Sequence, residues 1–473
     1  MKKQLLSVLS AILFVQISMA QHQEISEKPS IWKGMLNRAK DSTTFLHAIK
    51  SGDVDVHLRY FFMYTDNKKE LTDYFANALG GALRYETAPF HGFQVGMSGS
   101  FIFNIGSSDL SKPDSASGQL NRYEIGLFDI QNPKNKRDIA DLEEIYLKYN
   151  FRKSYVLFGR QFINTPFINL QDGRMRPTSV SGLWLSIDEV KTLHIEGGIL
   201  HNISPRSTVG WFNPGESIGL YPGGVNTDGT KSEYAEHLNS KVIAMAGFQW
   251  APVKYLQLHL WDMYTHNISN SLLVQADLQY PFKDNTLFAA GQMIRQDALK
   301  DGGNADPAKT YFDKGAKAMT FGAKLGWKNK AFEISANYNR ITDHGRYLMP
   351  REWGRDPFFT FLPRERNEGF GDVHAVMGKI NYNVQKINLK FSLAGGYYKM
   401  PDVKDFRLNK YGLPTYSQIN LDIRYQFPGR MKGLETQFLI AGKINVGETY
   451  NNAKFVINKT DMVSYNLVIN YHF

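Results

Sequence analysis

Apolar side chains recur at every second position through most of this chain. In "DVDVHLRYFFMY" Val54, Val56, Leu58, Tyr60, Phe62 and Tyr64 are apolar, while Asp53, Asp55, His57 and Arg59 between them are charged or titratable. "GFQVGMSGSFIFNI" sets Phe93, Val95, Met97, Phe101, Phe103 and Ile105 against Gln94, Ser98, Ser100 and Asn104. A period of two sends alternate side chains to opposite faces, so these segments predict β-strands with one oily and one wet face. "SLLVQADLQY", "INLDIRYQF" and "LETQFLIAGKI" repeat the pattern; "SYVLFGRQF" and "VHAVMGKINY" carry it poorly. About eighteen strands are predicted, near 54–64, 76–87, 93–105, 141–151, 155–161, 181–187, 191–200, 241–250, 253–263, 271–280, 286–296, 317–327, 330–341, 372–384, 387–399, 415–427, 434–444 and 463–473.

The connections discriminate between architectures. Short links such as "APFH", "RKS", "AP" and "NK" alternate with long ones such as 106–140, 202–240, 297–316 and 342–371. A transmembrane barrel has short turns on its periplasmic rim and long loops outside, and strands of about ten residues cross the bilayer at a tilt. A β-sandwich does not usually need so many strands in strict short–long order. A propeller would repeat every 40–50 residues or so, and the chain shows no such repeat. The expected fold class is therefore all-β: a transmembrane antiparallel β-barrel of about 18 strands, spanning 53–473.

The end of the chain supports closure. In "SYNLVINYHF" Tyr465, Leu467, Ile469, Tyr471 and the final Phe473 form one apolar face. Chain ends are usually polar and frayed. A barrel has no free edge, so its last strand pairs with its first and the terminus joins the wall. A terminal aromatic in an alternating strand also resembles the signal that the barrel-insertion machinery of the bacterial outer membrane reads.

Composition narrows the compartment. The chain has 473 residues, no cysteine, and a formal charge of +10 from 55 Lys and Arg against 45 Asp and Glu. Lys2 and Lys3, an apolar run from Leu5, and Ser18-Met19-Ala20 read as a secretory signal peptide over 1–20, with Gln21 the first mature residue. After residue 20 no apolar run approaches the length of a membrane-spanning helix. An exported chain without cysteine is not a disulfide-built module. Residues 21–52 are expected to be a short periplasmic extension. There "SIWKGMLNRAKDSTTFLHAIKSG" predicts an amphipathic helix using Trp32, Met35, Leu36, Phe45, Leu46 and Ile49.

Chemical motifs are sparse. There is no G-x-S-x-G elbow, no H-E-x-x-H helix and no cysteine cluster, so no enzyme chemistry is expected. "VNTDGTKSE" and "DGGNADPAK" lack the full calcium-loop spacing and suffice as turn chemistry. His57, His194 and His259 are expected in the barrel wall, not on a metal. No metal ion and no cofactor is implied. Basic residues crowd turns such as "FRKS", "WKNK" and "PGRMKG" without a stacking platform, which excludes nucleic acid as partner. A barrel phospholipase would need a Ser–His pair on the lipid-facing wall, and strand parity identifies none. An adhesin or scaffold barrel remains open through the loops 202–240 and 342–371.

Three stretches resemble the OprD-type family of outer-membrane porins. They are "HLRYFFMYTDNKKELTDYFANALGGALRYETAPFHGFQVGMSGSFIFNIGSSDL", the G-x…P…D-x-R-x-x-P…G pattern of "FGRQFINTPFINLQDGRMRPTSVSGLWL", and the terminal "SYNLVINYHF". The resemblance implies a narrow eighteen-stranded pore in the bacterial outer membrane, passing small polar solutes or ions by diffusion. Carboxylates are the candidate cargo, and a monomer or weak trimer the candidate assembly. It also implies that the third long-side loop, about 162–180, folds inward and narrows the channel. That loop carries Pro166, Asp172, Arg174, Arg176 and Pro177, with Arg160 just before it. Guanidinium groups stay charged and attract carboxylates in a low-dielectric constriction. Arg174 is equally readable as a pin holding the loop through a carboxylate such as Asp172. The family's ladder of lumen arginines is matched by Arg59 and Arg84, both on the polar face by parity. It is departed from at Glu435, Gln437 and Asn466, where only Lys443 nearby is basic. Arg424 faces inward by parity but sits beside Asp422. The pore-lining candidates are thus Arg59, Arg84, Arg160, Asp172, Arg174, Arg176 and Arg424.

Overall fold

The computed structural model describes residues 41–135, 139–170, 174–364 and 366–473. The signal peptide over 1–20, most of the 21–52 extension, and Asp172 lie outside the described residues.

Eighteen strands follow one another along the chain. They are β1 (Asp53–Asp66), β2 (Tyr74–Glu86), β3 (Phe93–Ser107), β4 (Ile139–Phe151), β5 (Ser154–Gln161), β6 (Ser179–Val190), β7 (Leu193–Ser204), β8 (Ile243–Val253) and β9 (Leu256–Thr265). Then come β10 (Ser269–Phe282), β11 (Asn285–Ala298), β12 (Lys317–Lys328), β13 (Phe332–Ile341), β14 (Val373–Val384), β15 (Leu389–Lys399), β16 (Tyr416–Gln426), β17 (Leu434–Asn445) and β18 (Met462–His472). Each is antiparallel to the next, and β18 pairs with β1, so the 18-stranded sheet closes on itself. The expected strands are all present, with ends moved by a few residues. Two connections depart from the short–long order. β9 reaches β10 through 266–268 alone, although this link lies on the long-loop rim. On the short-turn rim the link from β16 to β17 is long enough to hold the 3-10 turn Gly429–Met431.

The terminus is part of the wall. Val56 N donates to Phe473 O at 2.9 Å, and Phe473 N donates back to Val56 O at 3.1 Å. Inside the seam the rings of His57 and His472 stack at 4.5 Å; outside it Phe473 meets Tyr471 edge to face at 4.7 Å.

The outer surface is predominantly apolar. Leu58, Leu79, Phe158, Leu183 and Leu325 stand exposed around the wall. At about 25 cal/mol per Å² of apolar area, a belt of such side chains is strongly expelled from water, and a bilayer is the solvent that accepts it. Aromatic pairs mark the short-turn rim: Phe93–Tyr149 at 4.7 Å, Tyr255–Tyr280 at 6.3 Å, Phe332–Tyr382 at 4.5 Å and Tyr425–Phe427 at 4.6 Å. Such girdles sit at the lipid–water interface. The poor alternation of "VHAVMGKINY" has a cause inside the barrel. Val373, Ala375 and Met377 face inward and are buried, because loops fill the lumen behind them.

Of the predicted N-terminal helix, the described residues contain α1 (Phe45–Lys50), capped by Thr44. Ala88 N donates to Ala48 O and Tyr85 OH donates to Ile49 O, which fastens α1 to the short-turn rim beside β2. Trp32, Met35 and Leu36 lie outside the described residues.

Candidate functional site

Two long loops run into the lumen, and a third, 108–138, brings Tyr123 and Glu124 against them. L3 (162–178) joins β5 to β6, and L7 (342–372) joins β13 to β14. Their compositions explain the route. L7 contains "MPREWGRDPFFTFLP", in which Met349, Trp353, Phe358, Phe359 and Leu362 are buried. Residues of that size would not stay in water, and the lumen is the only interior this barrel has. L7 keeps its backbone satisfied with polar hooks from the wall. Gln292 donates to Pro357 O, Gln296 to Leu348 O, Tyr398 to Thr360 O, and Gln418 to Pro363 O, at 2.9, 2.8, 2.7 and 2.7 Å. L3 is tied to L7 at Asn169, whose N donates to Trp353 O at 3.0 Å and whose Nδ2 donates to Arg355 O at 3.0 Å. Gly354 takes φ 148° at this junction, and a Cβ there would lie 2.5 Å from Asn169 Oδ1.

Three arginines converge where these loops meet the β1–β18 seam. Arg59 of β1 donates to Asn470 Oδ1 at 2.7 Å and to the carbonyl of Arg174. Arg174 of L3 donates from Nη1 to Tyr123 O at 2.7 Å. The guanidinium passes so close to Gly126 that any Cβ there would collide with it. Arg364 of L7 donates from Nε to Ser464 Oγ at 3.3 Å and from Nη2 to Asn466, and lies over the Tyr123 ring at 5.5 Å. Asn466 is the wall position where the family ladder was expected to carry an arginine. The cation is present after all, supplied by a loop. Arg174 and Arg364 both occupy the left-handed region, at φ 48° and 74°, a conformation that non-glycine residues seldom adopt. Glu124 is buried beside them, held by Thr65 and by Asn121 at 2.5 Å, and acts electrostatically on Arg364. Burial holds its carboxyl above the ordinary range.

The other candidates fare differently. Arg176 is 3% exposed, pairs with Asp141 at 2.9 Å and Glu143 at 3.1 Å, and donates to Thr208 O and Ser204 Oγ. It is a buried pin between L3, β4 and the loop 205–242, not a group that meets solute. A register shift opposite Ser98 and Gly99 contributes, turning both Glu143 and Glu144 to the interior. Arg160 is a correction: its register partners Ile145 and Ser181 lie on the outer face, and it caps the Trp211 ring at 4.3 Å. In "FGRQF" the inward position belongs to Gly159, so the adjacent arginine points out. Arg84 faces inward among Asp55 at 3.4 Å, Glu86 at 2.7 Å and Glu144 at 3.8 Å. Arg424 faces inward near the short-turn rim and is paired with Asp422 at 2.9 Å. Lys443 donates to Arg364 O at 3.2 Å.

L7 was not anticipated as part of the site. Its signal was legible: a long connector rich in aromatics and without period two must bury itself somewhere. Parity also overlooked one outer pair, because a register shift between Ser181 and Gly182 realigns β6 with β7. Ser181 Oγ and His201 Nε2 lie 3.3 Å apart on the lipid-facing wall. The histidines read as wall residues are held by polar neighbours: His57 by Asn470 at 3.1 Å, His194 by Asp188 at 2.8 Å, and His259 by Asp277 at 3.1 Å. What the lumen offers, then, is fixed positive charge at a loop-narrowed level and carbonyls to orient it.

Comparison with known proteins agrees with this geometry. A family model described as "outer membrane porin, OprD family" matches residues 49–360. No curated protein sequence matches the chain. Among solved structures, Pseudomonas aeruginosa OccK9 (OpdG) superposes with a TM-score of 0.70 at 15% identity, covering 90% of this chain and 99% of that one. Pseudomonas aeruginosa OpdK, crystallised with vanillate, gives 0.68 at 14% identity, with 90% and 99% covered. Acinetobacter baumannii OccAB1 gives 0.69 at 12% identity, with 92% and 99% covered.

Proposed function

Because this chain belongs to the OprD family of outer-membrane porins, we propose that it passes small carboxylates, selected by Arg59, Arg174 and Arg364. It is a channel of the bacterial outer membrane for small solutes, with its long loops extracellular. The observation that carries the substrate class is the supply of Arg364 from L7 to Asn466, which brings a third guanidinium to the seam where Arg59 donates to the Arg174 carbonyl and Arg174 to Tyr123 O. Fixed cations in a narrow, partly desolvated passage draw anions in, while contacts that stay weak and multiple let them leave. The left-handed conformations of Arg174 and Arg364 support the reading, since strained backbone concentrates at sites where geometry serves function. The vanillate of the OpdK structure is an aromatic carboxylate and fits the same class.

Under this reading the protein works as a monomer, without cofactor or catalysis. Arg84 and Arg424, each beside acids, contribute little to selection. The Ser181–His201 contact is the one observation favouring an outer-leaflet lipid hydrolase. Such a pair needs a third group to orient the imidazole. Among the described residues no hydrogen bond reaches the other His201 nitrogen. The test is reversal potential in a salt gradient across planar bilayers holding the refolded protein, with potassium benzoate replacing chloride. Discrete openings with anion preference and benzoate current are expected. Cation preference would sink the substrate class and leave the porin standing.

A further inference from the structure

Arginines within the strands divide by face. Arg59, Arg84 and Arg424 point into the lumen, whereas Arg160, Arg295 and Arg340 point outward, toward lipid. A guanidinium on the outer side of the wall needs an anionic partner or the headgroup layer. Arg295 carries its own acid, Asp297 at 2.7 Å, and Arg340 has Asp372 at 2.6 Å. Arg160 is different. Among the described residues it pairs with no carboxylate; its Nη1 donates to Leu142 O at 3.2 Å and its guanidinium lies over the Trp211 ring. Both contacts fix the group without cancelling its charge. The acids of neighbouring β4 do not reach it, because Asp141 and Glu143 turn inward to Arg176.

The backbone is shaped around this arginine. On the inner side of the β5–β6 pair Gly159 takes φ 129°, and a Cβ on Gly182 opposite it would collide with Ile199 O. The register then slips: Ser181 pairs with Asn202 and Gly182 with Leu200, which leaves His201 as the extra residue of a bulge. Bulges re-aim side chains, and this one sets His201 Nε2 3.3 Å from Ser181 Oγ on the outer wall. Arg160 is the register partner of Ser181, so a guanidinium, a hydroxyl and an imidazole stand in line across β5, β6 and β7. All three lie close to the long-loop ends of their strands, at the height of the outer-leaflet headgroups. Immediately beneath them Phe158, Leu183 and Ile199 are register neighbours of one another and exposed on the same face.

We propose that this face is a docking site for a phosphorylated, acylated lipid of the outer leaflet. Its phosphate oxygens accept from Arg160 and Ser181, with His201 positioning the hydroxyl, and its chains lie over Phe158, Leu183 and Ile199. Charge complementarity carries the choice of occupant: a planar guanidinium without an acid suits a phosphate, and the apolar row below suits acyl chains. In the tautomer whose Nε2 donates to Ser181 Oγ, the serine proton is left for an outside oxygen. The site is on the outer wall and does not depend on which solute the lumen selects.

The experiment is native mass spectrometry of the refolded protein, released from detergent micelles doped with increasing amounts of a hexa-acylated, diphosphorylated lipid A. Wild type is compared with Arg160→Gln, Ser181→Ala and the acid-paired Arg295→Gln. Wild type should retain one lipid. Arg160→Gln should raise the half-saturating concentration about tenfold and Ser181→Ala about threefold, while Arg295→Gln leaves it unchanged. The same lipid stripped of its phosphates should bind wild type about tenfold more weakly or worse. Ser181→Ala removes one hydroxyl and keeps the packing, so it reports even if Arg160→Gln fails to fold. Equal binding of the two lipids, or wild-type binding by both Arg160→Gln and Ser181→Ala, overturns the site. So does displacement of the lipid by inorganic phosphate, which would make the free ion the ligand, and release of fatty acid, which would make the Ser181–His201 pair a hydrolase. A dimer that Arg160→Gln breaks would give the face to a second copy of the chain instead.

Discussion

Arginines at two levels of the lumen behave differently. Toward the short-turn rim the two inward arginines are answered by acids: Arg84 by Asp55, Glu86 and Glu144, and Arg424 by Asp422. At the level of L3 and L7, the hydrogen bonds described for Arg59, Arg174 and Arg364 go to carbonyls, side-chain amides and a hydroxyl, while Glu435 acts electrostatically on Arg59 and the buried Glu124 on Arg364. A carbonyl positions a guanidinium without cancelling its charge, whereas a paired carboxylate does cancel it. The lesson is that the number of inward arginines says little about the field a solute meets. What holds each arginine decides it.

The sharpest way to break this contrast is to release the inner loops from the wall. Arg176→Ala leaves Asp141 and Glu143 buried without their partner, which should destabilise the folded barrel by about 3–5 kcal/mol. Thermal unfolding in detergent, read by heat-modifiable gel mobility, would show the loss; a wild-type transition would mean the pin is idle. Next comes the charge itself. Arg364→Ala should lower the anion-to-cation permeability ratio about tenfold, equivalent to about 1.4 kcal/mol. A ratio unchanged within error would return selection to the wall. Smallest are Arg84→Ala and Arg424→Ala, each expected to move that ratio by less than about twofold, because exposed or multiply paired charges are worth little singly. A large effect from either would erase the distinction between the two levels.

Parity carried the barrel because lipid on one side and lumen on the other impose a period of two on every strand. It also placed Arg59, Arg84 and Arg424 on the inner face, since these sit within regular strands. It failed for Arg160, where the alternation of "SYVLFGRQF" is too weak to show that Gly159 takes the inward position. It had nothing to say about Arg174 and Arg176, two residues apart in a loop, one bonded to a backbone carbonyl of another loop and the other sunk between two carboxylates. The departure at Asn466 looked like a missing cation and proved to be a receptor for Arg364, 102 residues away in the chain.

From its residues alone, this chain is an eighteen-stranded membrane barrel closed through its last strand, since one-face apolarity is a local property that any single strand displays. How Arg59, Arg174 and Arg364 are held depends on the packing of L3 and L7 inside that wall. Long-range contacts between loops and wall choose each guanidinium's partner, and no spacing along the chain encodes a contact of that kind.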